Sequence, residues 1–94
     1  MSKKERNEAI EKAKRKVMSD PWIVCIVCGT IANLTPSHLL KIRARNNKPD
    51  DPKYIVPKCV KCHTAYELLN PEARMEFWKD KHRNDIVELM KEIM

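Results

Sequence analysis

A single glycine, Gly29, serves all 94 residues. Most special backbone conformations must therefore be reached without it. Aromatic residues make up 5% of the chain, too few to build a stacking channel for single-stranded nucleic acid. Trp22, Phe77 and Trp78 are read as core. Long apolar runs are missing too. The run Trp22 to Val27 holds six residues, against the ~18 of a membrane-spanning helix. The first residues, MSKKERNEAIEKAKRK, are charged and have no apolar segment of the kind a secretory signal needs. A cytoplasmic, reducing location is the expectation, with no membrane partner. Disorder is excluded by the 43% apolar content spread along the chain. The length suits one domain, residues 1–94.

Charge is abundant. Nineteen Lys and Arg stand against thirteen Asp and Glu, a net charge of +6. That balance favours a polyanionic partner over a small-molecule substrate, which is not expected. A chain this short also builds a modest core, and such domains often recruit a metal, disulfides or a partner chain.

The four cysteines indicate which help is used. Cys25 and Cys28 form one C-x2-C pair and Cys59 and Cys62 another, 30 residues apart. Four thiolates satisfy the tetrahedral preference of zinc and leave no position for water, so the site is structural, with one Zn²⁺ per chain. Gly29 directly follows Cys28, where a knuckle often needs positive φ. Redox pairs or free buried thiols are the alternatives. A matched set of two pairs is unusual for either.

Periodicity divides the chain into three parts. In residues 1–20, Ser2 and Glu5 form a capping-box pattern, and Ala9, Ile10, Ala13, Val17 and Met18 recur at helical spacing. This predicts a basic amphipathic helix over 3–18, ended by Asp20-Pro21. In residues 21–69, Trp22–Val27 reads as a strand leading into the first knuckle. Thr30–Leu34 and Pro36–Ile42 read as short strands, and RARNNKPDDPK as a loop. Tyr54–Pro57 reads as a returning strand, and Val60–Leu69 as a helix starting at the second knuckle. In residues 70–94, Asn70 caps a helix that opens on Pro71 and runs to about Lys81. A last helix uses Ile86, Val87, Leu89, Met90 and Ile93. The class is α+β.

The order C-x2-C-G, a His closing a short apolar segment, a polar loop, an apolar strand and then C-x2-C-H on a helix resembles the HNH endonucleases. The likeness covers Cys25 to Glu67. It rests on PSHLLKIRAR and DPKYIVPKCVKCHTAYE, and a narrower likeness is to the small phage and bacterial recombination-type members. It implies a ββα-metal, treble-clef-like core on the four-cysteine zinc, with flanking helices. It also implies a metal-dependent nuclease or nickase that hydrolyses DNA, duplex or branched, to 5′-phosphate and 3′-hydroxyl ends.

By this resemblance His38 is the general base, taking a proton from the attacking water. His63 is a ligand of the catalytic divalent cation. Glu67, one helical turn on, shares that cation, and an imidazole with a carboxylate suits Mg²⁺ or Mn²⁺. Tyr54 aligns with the family's middle Asn, which holds the hairpin loop. Asn46 or Asn47 can serve there if the register shifts. Ser37 precedes His38 where many relatives carry an Asp or His ligand. These two departures, Ser37 and Tyr54, are read as possible support positions. They motivate a second reading, a zinc-stabilised DNA-binding module of the same ancestry that does not cut. A protein-interaction zinc domain using the C-terminal helices is a third.

Lys41, Arg43, Arg45 and Lys48 lie in and beside the loop after His38 and are expected to contact phosphates. The N-terminal helix carries seven basic residues with Glu5, Glu8 and Glu11. Its composition suits a solvated helix as well as a DNA-tracking arm. His82, in KDKHRND, reads as a surface residue.

Overall fold

The computed structural model describes residues 2–42 and 46–94. Helix α1 spans Lys3–Met18 and begins where its cap requires. The Ser2 hydroxyl accepts from the Glu5 N–H, and Ile10 and Ala13 turn inward. The Ser19 hydroxyl then donates to the Lys16 carbonyl at 2.7 Å, closing the last turn. Asp20 accepts from the Trp22 N–H at 2.9 Å, which turns the chain away from the helix axis.

The expected strand over Trp22–Val27 is absent. That segment is a succession of turns. The Cys25 N–H donates to the Thr30 carbonyl and the Gly29 N–H to the Cys25 carbonyl, so the chain doubles back around the first cysteine pair. Gly29 takes φ +78° there, which only glycine adopts at little cost. Trp22 is 86% exposed, so it is not core. Thr30–Leu34 contributes only its last residue to a strand.

Strands β1 (Leu34–His38) and β2 (Ile55–Cys59) pair antiparallel, with Leu34 opposite Cys59 and His38 opposite Ile55. The pairing continues to Leu39, whose N–H donates to the Tyr54 carbonyl. Ladder bonds alternate along an antiparallel pair, so this bond fixes the parity of the rest. Pro36 and Pro57 face each other two rungs away from His38 and Ile55. By that parity they occupy a position where both residues' N–H groups would point outward. Neither missing donor therefore breaks the ladder. A 3-10 turn over Pro52–Tyr54 feeds β2.

Helix α2 (Val60–Glu67) starts as β2 ends. Asn70 caps α3 (Pro71–Asp80) by accepting from the Ala73 N–H at 2.8 Å, and Pro71 opens its first turn. Helix α4 (Asn84–Ile93) packs Ile86, Val87, Met90 and Ile93 inward. Together with Leu39, Leu40, Tyr54, Val56, Tyr66 and Trp78 they form the main core. Tyr66, Phe77 and Trp78 meet edge-on or tilted, with ring centroids 4.9–5.8 Å apart. No described helix is long and apolar enough to cross a membrane.

Candidate metal centre and groove

The four cysteines converge from three places. Cys25 and Cys28 sit on the first turn, Cys59 closes β2, and Cys62 lies in the first turn of α2. Their sulfurs all lie within 4.8 Å of one another, and Cys28 and Cys59 are 3.7 Å apart. Zinc–sulfur bonds of ~2.3 Å in a tetrahedron separate sulfurs by about 3.8 Å, so the donor set and its spacing fit one zinc ion. Burial raises the Cys25 thiol, but donation from the Cys28, Cys59 and Val27 N–H groups outweighs it and holds the thiol down at about 6. Burial and hydrogen bonds among the neighbouring thiols push Cys62 up to about 12. The cluster alone does not ionise completely near neutrality, whereas a bound cation deprotonates every ligand.

Beside this centre lies a groove of about 350 Å³. It is lined by Lys14 of α1, Pro36 and His38 of β1, the following Leu40, Lys41 and Ile42, and His63 and Glu67 of α2. The hairpin and the helix that starts at the second cysteine pair thus bring His38, His63 and Glu67 to one groove.

His38 is 7% exposed, and its Nε2 lies 2.9 Å from the Pro49 carbonyl. A carbonyl only accepts, so Nε2 carries the proton and Nδ1 is left with a lone pair. Burial holds the imidazole pKa below its ordinary value, the Pro49 carbonyl opposes this, and the positive charge of Lys14 adds to the lowering. The ring is therefore neutral near pH 7.

The tautomer of His63 follows from its neighbour. The Thr35 hydroxyl donates its one hydrogen to the Lys58 carbonyl at 2.9 Å. Its oxygen must then accept from His63 Nδ1, 2.8 Å away. In the neutral ring His63 Nε2 then carries the lone pair, 3.3 Å from Glu67 Oε1. Two lone-pair atoms at that separation suit adjacent positions on an octahedral cation, which ligand bonds of ~2.1 Å place about 3 Å apart. Among the described residues no third His, Cys, Asp or Glu joins this pair.

Glu67 is held from behind. Its Oε2 lies 3.5 Å from Nη2 of Arg74, a fully buried guanidinium on α3. The same fork donates to the carbonyls of Leu69 at 3.0 Å and Leu39 at 3.3 Å. Lys58, also fully buried, donates to the Ser37 hydroxyl at 3.1 Å and lies over the Tyr66 ring. Burial first, then the charge of Arg74, brings its amine down to about 7.

The support positions named from sequence are differently engaged. Ser37 is buried against Lys58, and the Tyr54 hydroxyl donates to Glu92 of α4 at 2.9 Å. Tyr54 supports the hairpin through its carbonyl instead. Asn47 holds the loop, donating to the carbonyls of Leu40 and Lys41 at 3.2 and 2.8 Å. Asn46 donates to the Met94 carbonyl. Lys41 lines the groove, while Lys48 is exposed and outside its lining. Arg43 and Arg45 lie outside the described residues.

Sequence reading missed Lys14, Thr35, Pro49 and Arg74. Lys14 follows Ile10 by four residues, which places it beside the buried stripe of α1. Arg74 precedes Trp78 by four and shares its buried face. Those spacings were available signals. The roles of Thr35 and Pro49 come from long-range contacts and had none. Comparison with protein-family models, curated proteins and solved structures finds no match.

Proposed function

We propose that the chain is a metal-dependent HNH-type endonuclease or nickase that hydrolyses phosphodiester bonds in DNA. One observation carries the reading. His38, with its free Nδ1, and the His63–Glu67 pair share a single open groove. His38 Nδ1 takes the proton of the attacking water, while the Pro49 carbonyl keeps the ring oriented throughout. His63 and Glu67 would hold Mg²⁺ or Mn²⁺, which when bound stabilises negative charge developing on phosphate oxygens. Thr35 fixes the His63 ring and Arg74 fixes the Glu67 carboxylate. Lys41 and Lys14 supply positive charge to the groove walls. The four cysteines hold a structural zinc that joins the first turn, the hairpin and α2.

A non-cutting DNA-binding module is the competing reading. It is favoured by the ligand pair having only two members among the described residues. Supercoiled plasmid separates the two. Nicking with Mg²⁺ or Mn²⁺ that is lost in both His38→Ala and His63→Ala supports the enzyme. Salt-dependent DNA binding without nicking under any divalent cation supports the module.

A further inference from the structure

We propose that α1 forms part of the DNA-binding surface, with Lys14 as its phosphate contact inside the groove and Lys3 and Asn7 extending the same edge. The inference rests on the DNA reading above and extends it from the groove, where Lys14 already supplies charge, along the length of α1.

The buried residues of α1, Ile10 and Ala13, fix which way the helix faces. Advancing 100° per residue, Lys3, Asn7 and Lys14 fall on one flank of that buried stripe. Lys14 is the inner end of this edge. Its side chain is 28% exposed, whereas the other basic residues of the helix are exposed outright. It lines the same groove as His38, Lys41, His63 and Glu67. A phosphate entering the groove meets a cation from α1 and a cation from the segment after β1.

The ammonium of Lys14 is 3.1 Å from Glu11, which is itself more than half exposed. Such a surface pair is weak, and a phosphate can replace the carboxylate at small cost. From Lys14 to Lys3 the edge runs eleven residues, or ~16 Å at 1.5 Å per residue. That is the axial rise of about five nucleotides of a B-form strand at 3.4 Å each. Seven basic residues against three glutamates leave α1 at +4. The matching partner is the phosphate backbone, read without base specificity.

The test uses the full zinc-loaded chain and a fluorescently labelled 20-base-pair duplex, with no added divalent cation. Anisotropy titrations run from 50 to 200 mM KCl. Each phosphate contact contributes ~0.9 to the slope of log affinity against log salt. Lys14→Ala should lower affinity at least threefold at 50 mM salt and reduce the slope by about 1. Lys14→Arg should keep both. Lys16→Ala, on the opposite flank, should match wild type. Lys14→Gln replaces Lys14→Ala if thermal melts show the alanine variant misfolded. Wild-type affinity and slope in folded Lys14→Ala or Lys14→Gln would overturn the assignment while leaving the DNA reading intact. A wild-type chain that does not bind the duplex at any salt would overturn both.

Discussion

His38 Nε2 donates to the carbonyl of Pro49, eleven residues along the chain, at 2.9 Å. This one contact fixes which ring nitrogen of the neutral imidazole is free. It also turns a loop with turn-forming composition into part of the site. Burial keeps the ring's pKa below its ordinary value. The neutral, base-competent form therefore persists as pH falls past 6.5, and activity declines only on further acidification. A pH profile of plasmid nicking should place its acid limb below pH 6.5. His38→Ala should lower the rate by ~10²–10⁴-fold with the fold unchanged in circular dichroism.

Removing the zinc should unfold the chain. Structural zinc contributes on the order of 10 kcal/mol in small domains, more than a 94-residue core can spare. Elemental analysis should give about one zinc per chain. A strong chelator, or Cys59→Ser, should abolish the cooperative thermal transition. A chelated chain that still melts cooperatively at the wild-type temperature would contradict the structural role.

Arg74 joins three elements through one guanidinium. Lysine keeps the charge but cannot span the Leu69 and Leu39 carbonyls and Glu67 together. Arg74→Lys should cost ~2–4 kcal/mol in urea unfolding, because buried carbonyls lose their donors. It should also move the Mn²⁺ dependence of nicking to higher concentration, since Glu67 loses its rear anchor. An unchanged metal dependence would confine Arg74 to stability.

The Tyr66 hydroxyl donates to the Leu39 carbonyl at 2.6 Å and accepts from Trp78 Nε1 at 3.0 Å. Tyr66→Phe removes both contacts and strands the indole N–H in the core. The expected loss is ~1–3 kcal/mol by chemical denaturation. Tyr54→Phe should cost less, ~1 kcal/mol or under, because its partner Glu92 keeps Lys53 at a half-exposed surface. Tyr54→Phe should also nick DNA at the wild-type rate.

Much of this architecture was legible where local chemistry decides it. The Ser2 cap, the inward Ile10 and Ala13, and Asn70 before Pro71 set helix starts through contacts within four residues. The two C-x2-C pairs gave the cysteine cluster because four thiols converge for one reason. What failed was the apolar run Trp22–Val27. Its composition suits a strand, but the cysteine cluster dictates the path there, and Trp22 is left in solvent. Lys58 and Arg74 were equally hidden. Sequence reading singled out neither, and both are buried because aromatic rings and carbonyls distant in sequence enclose them. The tautomers of His38 and His63 depend on Pro49 and Thr35. No spacing rule connects those partners to the histidines.

The facing prolines of the hairpin act beyond the ladder they leave intact. A two-stranded ribbon has two outer rims, and each is a template on which another chain could add a strand. Pro36 and Pro57 sit at the middle of their strands, and each removes an outward donor from its own rim. Neither rim offers an unbroken row of donors, and the Pro57 carbonyl is already taken by Ile26. The hairpin is thereby guarded against edge-to-edge aggregation, and it stays a ribbon of two strands.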